Sequence, residues 1–252
     1  MSLTELSGSS DRSLVLIHGR DFKPAEEVYM DLSLAAMRSG IERDYPECLD
    51  AFDAMHKSLA WYGDLSAEIL SRRSKKYDEH LDIGDRRNAL AALREISVRK
   101  KFGIRQYDQL PGKSALAEAA VSVLAPICGA LGLCVPMIRL ASRDFARYFD
   151  QKADYSMRVR ERLRQRLCEA FDRGGRVALV SHGTGSVVAY DVLWQFSHDP
   201  DLKEKYGDNK VELWVTLGAP LGDSHLRKRL LGAKQKSEAK FPLNVIAWHN
   251  VS

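Results

Sequence analysis

The chain has 252 residues, 45% of them hydrophobic and 29% charged, with a formal net charge of +4 and an isoelectric point near 8.8. That balance is the composition of a globular domain and excludes a disordered or low-complexity chain. The length is enough to bury a core without disulfides or metals, and Lys and Arg are interspersed with Asp and Glu, so no concentrated phosphate-binding footprint is present and nucleic acid is not an expected partner.

In chain order, residues 1–12 are polar and serine-rich with no apolar run, which predicts a flexible leader and no secretory signal. Ser13 to Ile17 form a short continuous apolar run closed by His18-Gly19, as expected for a strand buried on both faces of a parallel sheet. Pro24 opens a predicted helix with Glu26 and Glu27 in its first turn, stopped near Gly40. Ser58 to Tyr62 predict a second strand ending at Gly63-Asp64, residues 64–102 one or two charged helices, and residues 103–113 a loop broken by Gly103, Pro111 and Gly112. Ala119 to Ile138 carry no charge, a window of transmembrane length, but Pro126, Gly129, Gly132 and Pro136 interrupt it. A membrane span here would also separate strands of one sheet. The segment therefore predicts an apolar helical cap within residues 103–141, either a lid or an ordinary buried helix pair, with a peripheral membrane contact as a third reading.

Residues 142–173 read as one long amphipathic helix, with Phe145, Tyr148, Phe149, Leu163, Leu167 and Phe171 toward the core and Gly174-Gly175 as the stop. Arg176 to Val180 make the strongest strand, followed by a tight turn at Ser181-His182-Gly183-Thr184-Gly185 and a helix over Ser186 to Phe196. Val211 to Leu217 and Leu243 to Trp248 predict two further strands, with a short basic helix over Ser224 to Leu231 between them. Strands alternating with helices predict a single α/β domain over residues 1–252, with a doubly wound, mostly parallel sheet and a helical apolar cap insertion. Ligands of such sheets bind at the carboxyl ends of the strands.

The run from Val177 to Asp191, with Ser181-His182-Gly183-Thr184-Gly185-Ser186 at its centre, resembles the nucleophile elbow of the lipase- and esterase-like α/β-hydrolases. Val15-Leu16-Ile17-His18-Gly19 resembles the early strand and His-Gly of the same family, and Thr216-Leu217-Gly218-Ala219-Pro220-Leu221 resembles a later strand end. Alone, His18-Gly19 is equally an ordinary strand end with a turn glycine; the ordered set is more specific. The resemblance implies an ester or other apolar small molecule as ligand and no cofactor; the cysteines, read as reduced thiols, and the missing secretory signal predict a cytoplasmic protein. It places the nucleophile at Gly183, which has no hydroxyl, so covalent acyl transfer there is excluded. It implies an oxyanion hole from the N–H groups of Thr184 and Arg20, with Asp21 as an adjunct, and gives His18, Gly19 and His182 to the same site. Thr184, Ser181 and Ser186 are the conceivable substitute nucleophiles.

The family's acid and histidine fall after a late strand, and residues 249–252 leave no room for them; His249, Asp223 and His225 match no triad spacing. The expectation is therefore a hydrolase-like scaffold cut short and inactive as it stands, or a non-catalytic binding or regulatory pseudoenzyme, with a nucleotide-binding α/β domain as a weaker third reading. Gly112-Lys113-Ser114 lacks the first glycine and the strand of a P-loop, and Gly183-x-Gly185 lacks the third glycine of a dinucleotide fingerprint. Cys48, Cys128, Cys134 and Cys168 have no metal-ligand spacing and predict reduced thiols and no metal site.

Overall fold

The computed structural model describes residues 12–71, 76–97, 143–150 and 153–251. Five strands, β1 (Arg12–Ile17), β2 (His56–Ala60), β3 (Arg176–His182), β4 (Val211–Leu217) and β5 (Val245–Val251), form one all-parallel sheet in the order β2-β1-β3-β4-β5. The helices are α1 (Glu26–Asp44), α2 (Leu49–Ala54), α3 (Gly63–Ser71), α4 (Glu79–Ser97), α5 (Arg143–Tyr148), α6 (Asp154–Asp172), α7 (Gly185–His198), α8 (Pro200–Tyr206) and α9 (Ser224–Arg227). The protein is thus an α/β domain. The residues assigned from sequence to the cap and to its membrane contact (103–141, 119–138), like the leader up to residue 11, lie outside the described residues.

The side-chain alternation of the strands splits the core in two. On one face Val15, Ile17, Val177, Leu179 and Trp214 pack against Val159, Leu163, Leu167 and Phe171 of α6 and Val187, Val188, Leu193 and Phe196 of α7. On the other, Leu14, Leu16 and Leu59 pack with Phe52 of α2 and with Tyr29, Met30, Leu34, Met37 and Ile41 of α1. Helices on both faces explain why β1 reads as an unbroken apolar run, whereas β5, paired on one side only, has a largely exposed pattern. From β1 the chain runs outward to β2 and then back past β1 to β3. The switch point of the sheet is therefore between the ends of β1 and β3, where a doubly wound sheet opens its crevice.

Several sequence expectations shift. Helix α1 begins after Pro24, with Ala25 at its N-cap, and runs through Gly40 to Asp44, because nothing at Gly40 demands a turn. The second strand starts earlier, at His56, and Tyr62 and Gly63 already lead into α3. The long helix over 142–173 is two helices: the Ala153 N–H bonds to the Asp150 carbonyl (2.8 Å) and the Ser156 hydroxyl takes the Asp150 and Ala153 carbonyls (2.8 Å each), breaking the run. Gly174 and Gly175 then end α6 at φ of 76° and 79°. The expected turn residues Ser181 and His182 still belong to β3, and α9 covers only the first four residues of the predicted basic helix. The last strand lies two to three residues further on than its apolar run suggests, and pairs to Val251 because Thr216 and Leu217 of β4 present partners there. Helix α8 was not foreseen; Asp199 caps it by accepting from the N–H groups of Asp201 and Leu202.

Candidate functional site

The loops after β1 and β3 meet. A Cβ on Gly19 would lie 3.1 Å from the His182 carbonyl oxygen and 3.6 Å from the Thr184 nitrogen, and one on Gly185 would collide with the His18 carbonyl. Gly185 thus lets α7 start against the backbone of β1. Gly183 has a different reason to be glycine: its φ is 54°, in the left-handed region, and a Cβ there would meet open space. The Gly183 N–H reaches the Leu217 carbonyl (2.8 Å), while Ser186 and Val187 return to the carbonyls of Gly183 and Thr184 (3.1 and 3.0 Å). Among the described residues no carbonyl or side chain takes the Thr184 N–H, which sits at the N-cap of α7, the positive end of that helix.

Beside this turn lies a shallow cleft, open to solvent, whose enclosed space of about 10 Å³ has room for a single water, lined by Arg20, Tyr62, Asp144, Phe145, Tyr148, Tyr155, Val159, Thr184 and Val188. Arg20 and Thr184, paired from sequence as N–H donors, therefore border the same space. Asp21 does not contribute its amide to a ligand: that N–H donates to Asp144 Oδ2 (2.8 Å), and the residue sits at φ 71°. Lys23 holds the loop from behind, its ammonium donating to the carbonyls of Arg20, Asp21 (3.3 Å) and Phe22 (3.1 Å). Burial, with Arg86 nearby, pushes its pKa down to about 8.

His18 is not a base in this geometry. It is buried, its Nδ1 is 2.7 Å from the Gly19 carbonyl, and its Nε2 accepts the Tyr62 N–H (3.0 Å), which fixes the neutral Nδ1–H tautomer. Tyr62 stacks on the ring at 4.0 Å and donates its hydroxyl to the His18 carbonyl (2.8 Å). Burial lowers the His18 pKa to about 3. The residue is a strut between the ends of β1 and β2. His182 is exposed at the rim, against Gly19.

Of the substitute nucleophiles, Ser181 and Ser186 are engaged in buried hydrogen bonds. Trp214 Nε1 donates to Ser181 Oγ (2.9 Å), which reaches Ser186 Oγ (3.0 Å), which donates to the Ser181 carbonyl (3.2 Å), and both serines are fully buried. The Thr184 side chain lies near the Tyr62 phenol, which burial holds well above its ordinary pKa and which donates to the His18 carbonyl. Asp223 caps α9 by accepting the Leu226 N–H (2.8 Å), and His249 is an exposed residue within β5. Among the described residues there is no cluster of metal-ligating side chains, and Cys48 and Cys168 are free thiols.

Sequence reading missed three parts of the site. Asp144 reaches the cleft from α5, across 123 residues from Asp21, with no motif around it. Tyr62 and Tyr155 had no signal beyond an aromatic near an element end. Behind the cleft wall, Tyr148 donates to Asp191 Oδ2 (2.7 Å), the Leu231 N–H to Asp191 Oδ1 (2.8 Å), and Arg160 stands 4.0 Å away. Burial raises Asp191 to about 6. This network joins α5, α6, α7 and the segment after α9, fixing the wall that carries Tyr148.

The fold and this site define an all-parallel, doubly wound α/β protein with a cleft at the β1/β3 switch point. Comparison with family models, with curated proteins and with solved structures finds no match. No helix among the described residues is long and apolar enough to cross a membrane.

Proposed function

We propose that this chain is an α/β-hydrolase-like protein, related to serine esterases and lipases, whose cleft binds a small carbonyl-bearing ligand, an ester or amide with an apolar portion, without covalent turnover. The carrying observation is the turn at Gly183-Thr184: an elbow-like backbone with an N–H directed from the start of a helix, but no hydroxyl at the position that would attack. A carbonyl oxygen accepting from Thr184 would leave the rest of the ligand against the aromatic wall of Tyr62, Phe145, Tyr148 and Tyr155. His18, held neutral with both nitrogens used, supplies no general base, and the buried, hydrogen-bonded hydroxyls of Ser181 and Ser186 supply no nucleophile.

A second reading, a hydrolase missing only its serine, draws on the open space at Gly183, which would accept a hydroxymethyl group pointing away from the protein. Intact mass after treatment with a fluorophosphonate separates the two. The binding-module reading predicts no adduct on the wild type and none on Gly183→Ser. An adduct on Gly183→Ser alone supports the second reading, and an adduct on the wild type contradicts both.

A further inference from the structure

We infer that the flank of the sheet formed by β5 and the β4–β5 connector is a docking surface for an anionic lipid bilayer. Between Ser224 and Phe241 the sequence places Arg227, Lys228, Arg229, Lys234, Lys236 and Lys240 against one carboxylate, Glu238. All but Arg229 are exposed, and among the described residues Arg227, Lys228, Lys234, Lys236 and Lys240 make no ion pair. The arginines of α6 behave differently: Arg158, Arg162, Arg164 and Arg166 all meet carboxylates. The positive charge of these five side chains thus meets no carboxylate among the described residues and is available to an outside partner.

The inner side of the connector is fixed. Leu226 and Leu230 are buried, Trp194 Nε1 donates to the Ala239 carbonyl (2.8 Å), and the Tyr190 hydroxyl donates to the Lys240 carbonyl (2.9 Å). With that side anchored on α7, the connector passes directly into exposed apolar side chains: Phe241 (56% exposed), Leu243 (51%), Ile246 (68%) and Trp248 (47%). Cations beside exposed aromatic and aliphatic groups are the composition of an interfacial membrane surface. Leu243 and Ile246 have no stacking face to offer a base, so they favour acyl chains over nucleic acid. A second copy is disfavoured by charge, because pairing β5 with β5 about a two-fold axis would bring the two basic connectors to the same interface.

The test is sedimentation of the full chain with phosphatidylcholine vesicles containing about 30% phosphatidylserine, with Trp fluorescence quenching by brominated lipid as a second readout. Binding is expected to fall at least about tenfold on pure phosphatidylcholine, in about 0.5 M salt, and in the triple variant Lys234→Glu, Lys236→Glu, Lys240→Glu. Those three side chains are exposed, so the variant is expected to keep its fold, checked by circular dichroism. Trp248→Phe should bind and lose the quenched component. Equal binding to neutral vesicles overturns the inference, as does no binding at all. So does binding to duplex DNA without lipid quenching, or a concentration-dependent dimer that shields Trp248.

Discussion

The two sides of the sheet are built to opposite rules. At the β1/β3 switch point backbones approach so closely that Gly185 has no room for a Cβ against His18, and the hydroxyls of Ser181 and Ser186 are engaged. At the β5 flank, among the described residues, the strand pairs on one side only, and large apolar side chains stand in solvent beside Lys234, Lys236 and Lys240, which make no ion pair. The contrast shows where rigidity was needed. On the proposed reading, a cleft that presents an N–H to a ligand must hold its backbone still, whereas a surface proposed to meet a fluid partner needs only composition and exposure.

The largest expected effect concerns the buried strut. His18 has an ordinary pKa of 6.5 and a folded value of about 3, so its contribution is complete above pH 6.5 and is withdrawn as pH falls toward 3, where the unfolded chain takes the proton first. That amounts to about 4–5 kcal/mol at full extent. Asp191 acts in the opposite sense: its folded pKa of about 6 exceeds the ordinary 3.8, so its contribution is complete below 3.8 and is lost as pH rises through 6, worth about 3 kcal/mol. Denaturant titrations across pH 7 to 4 should therefore show a shallow acid loss in the wild type and a steeper one in Asp191→Asn. Equal slopes would remove one of the two buried groups from the account.

A smaller effect separates the two glycines of the turn. Gly185→Ala should cost about 3 kcal/mol, because the added methyl meets a backbone carbonyl rather than a flexible side chain. Gly183→Ala should cost about 1 kcal/mol, the strain of a left-handed φ with space to spare. Thermal or denaturant unfolding of both variants checks the order, and a reversal would mean that close approach is not what shapes the turn.

Most of the sheet was legible in the sequence, for a physical reason. β1, β3 and β4 are flanked by strands on both sides; the apolar runs of β1 and β3 are nearly continuous, β4 keeps Leu213-Trp214-Val215 between Glu212 and Thr216, and their glycine stops coincide with the loops. β5 was misplaced because an edge strand is held by its partner's register, and Asn250 and Val251 carry no apolar signal of their own. The break between α5 and α6 depends on the Ser156 hydroxyl reaching two carbonyls, which a helical periodicity does not encode. In the site, the glycine turns follow from local motifs, whereas the meeting of residues 18–20 with 182–184 was expected only from the resemblance to α/β-hydrolases. Asp144, Tyr62 and Tyr155 are brought in by tertiary packing between distant segments, and the engagement of Asp21 by Asp144 could not be read from spacing.

The central claim is that the Thr184 N–H and the aromatic cleft beside it receive a carbonyl oxygen. Its most direct test is an NMR titration of the 15N-labelled chain with benzamide, a carbonyl probe whose amide resists hydrolysis. The account predicts saturable shifts at the Thr184 and Arg20 amides, with Tyr155 and Val188 following. Shifts that leave Thr184 unmoved, or that gather on another part of the sheet, would contradict it.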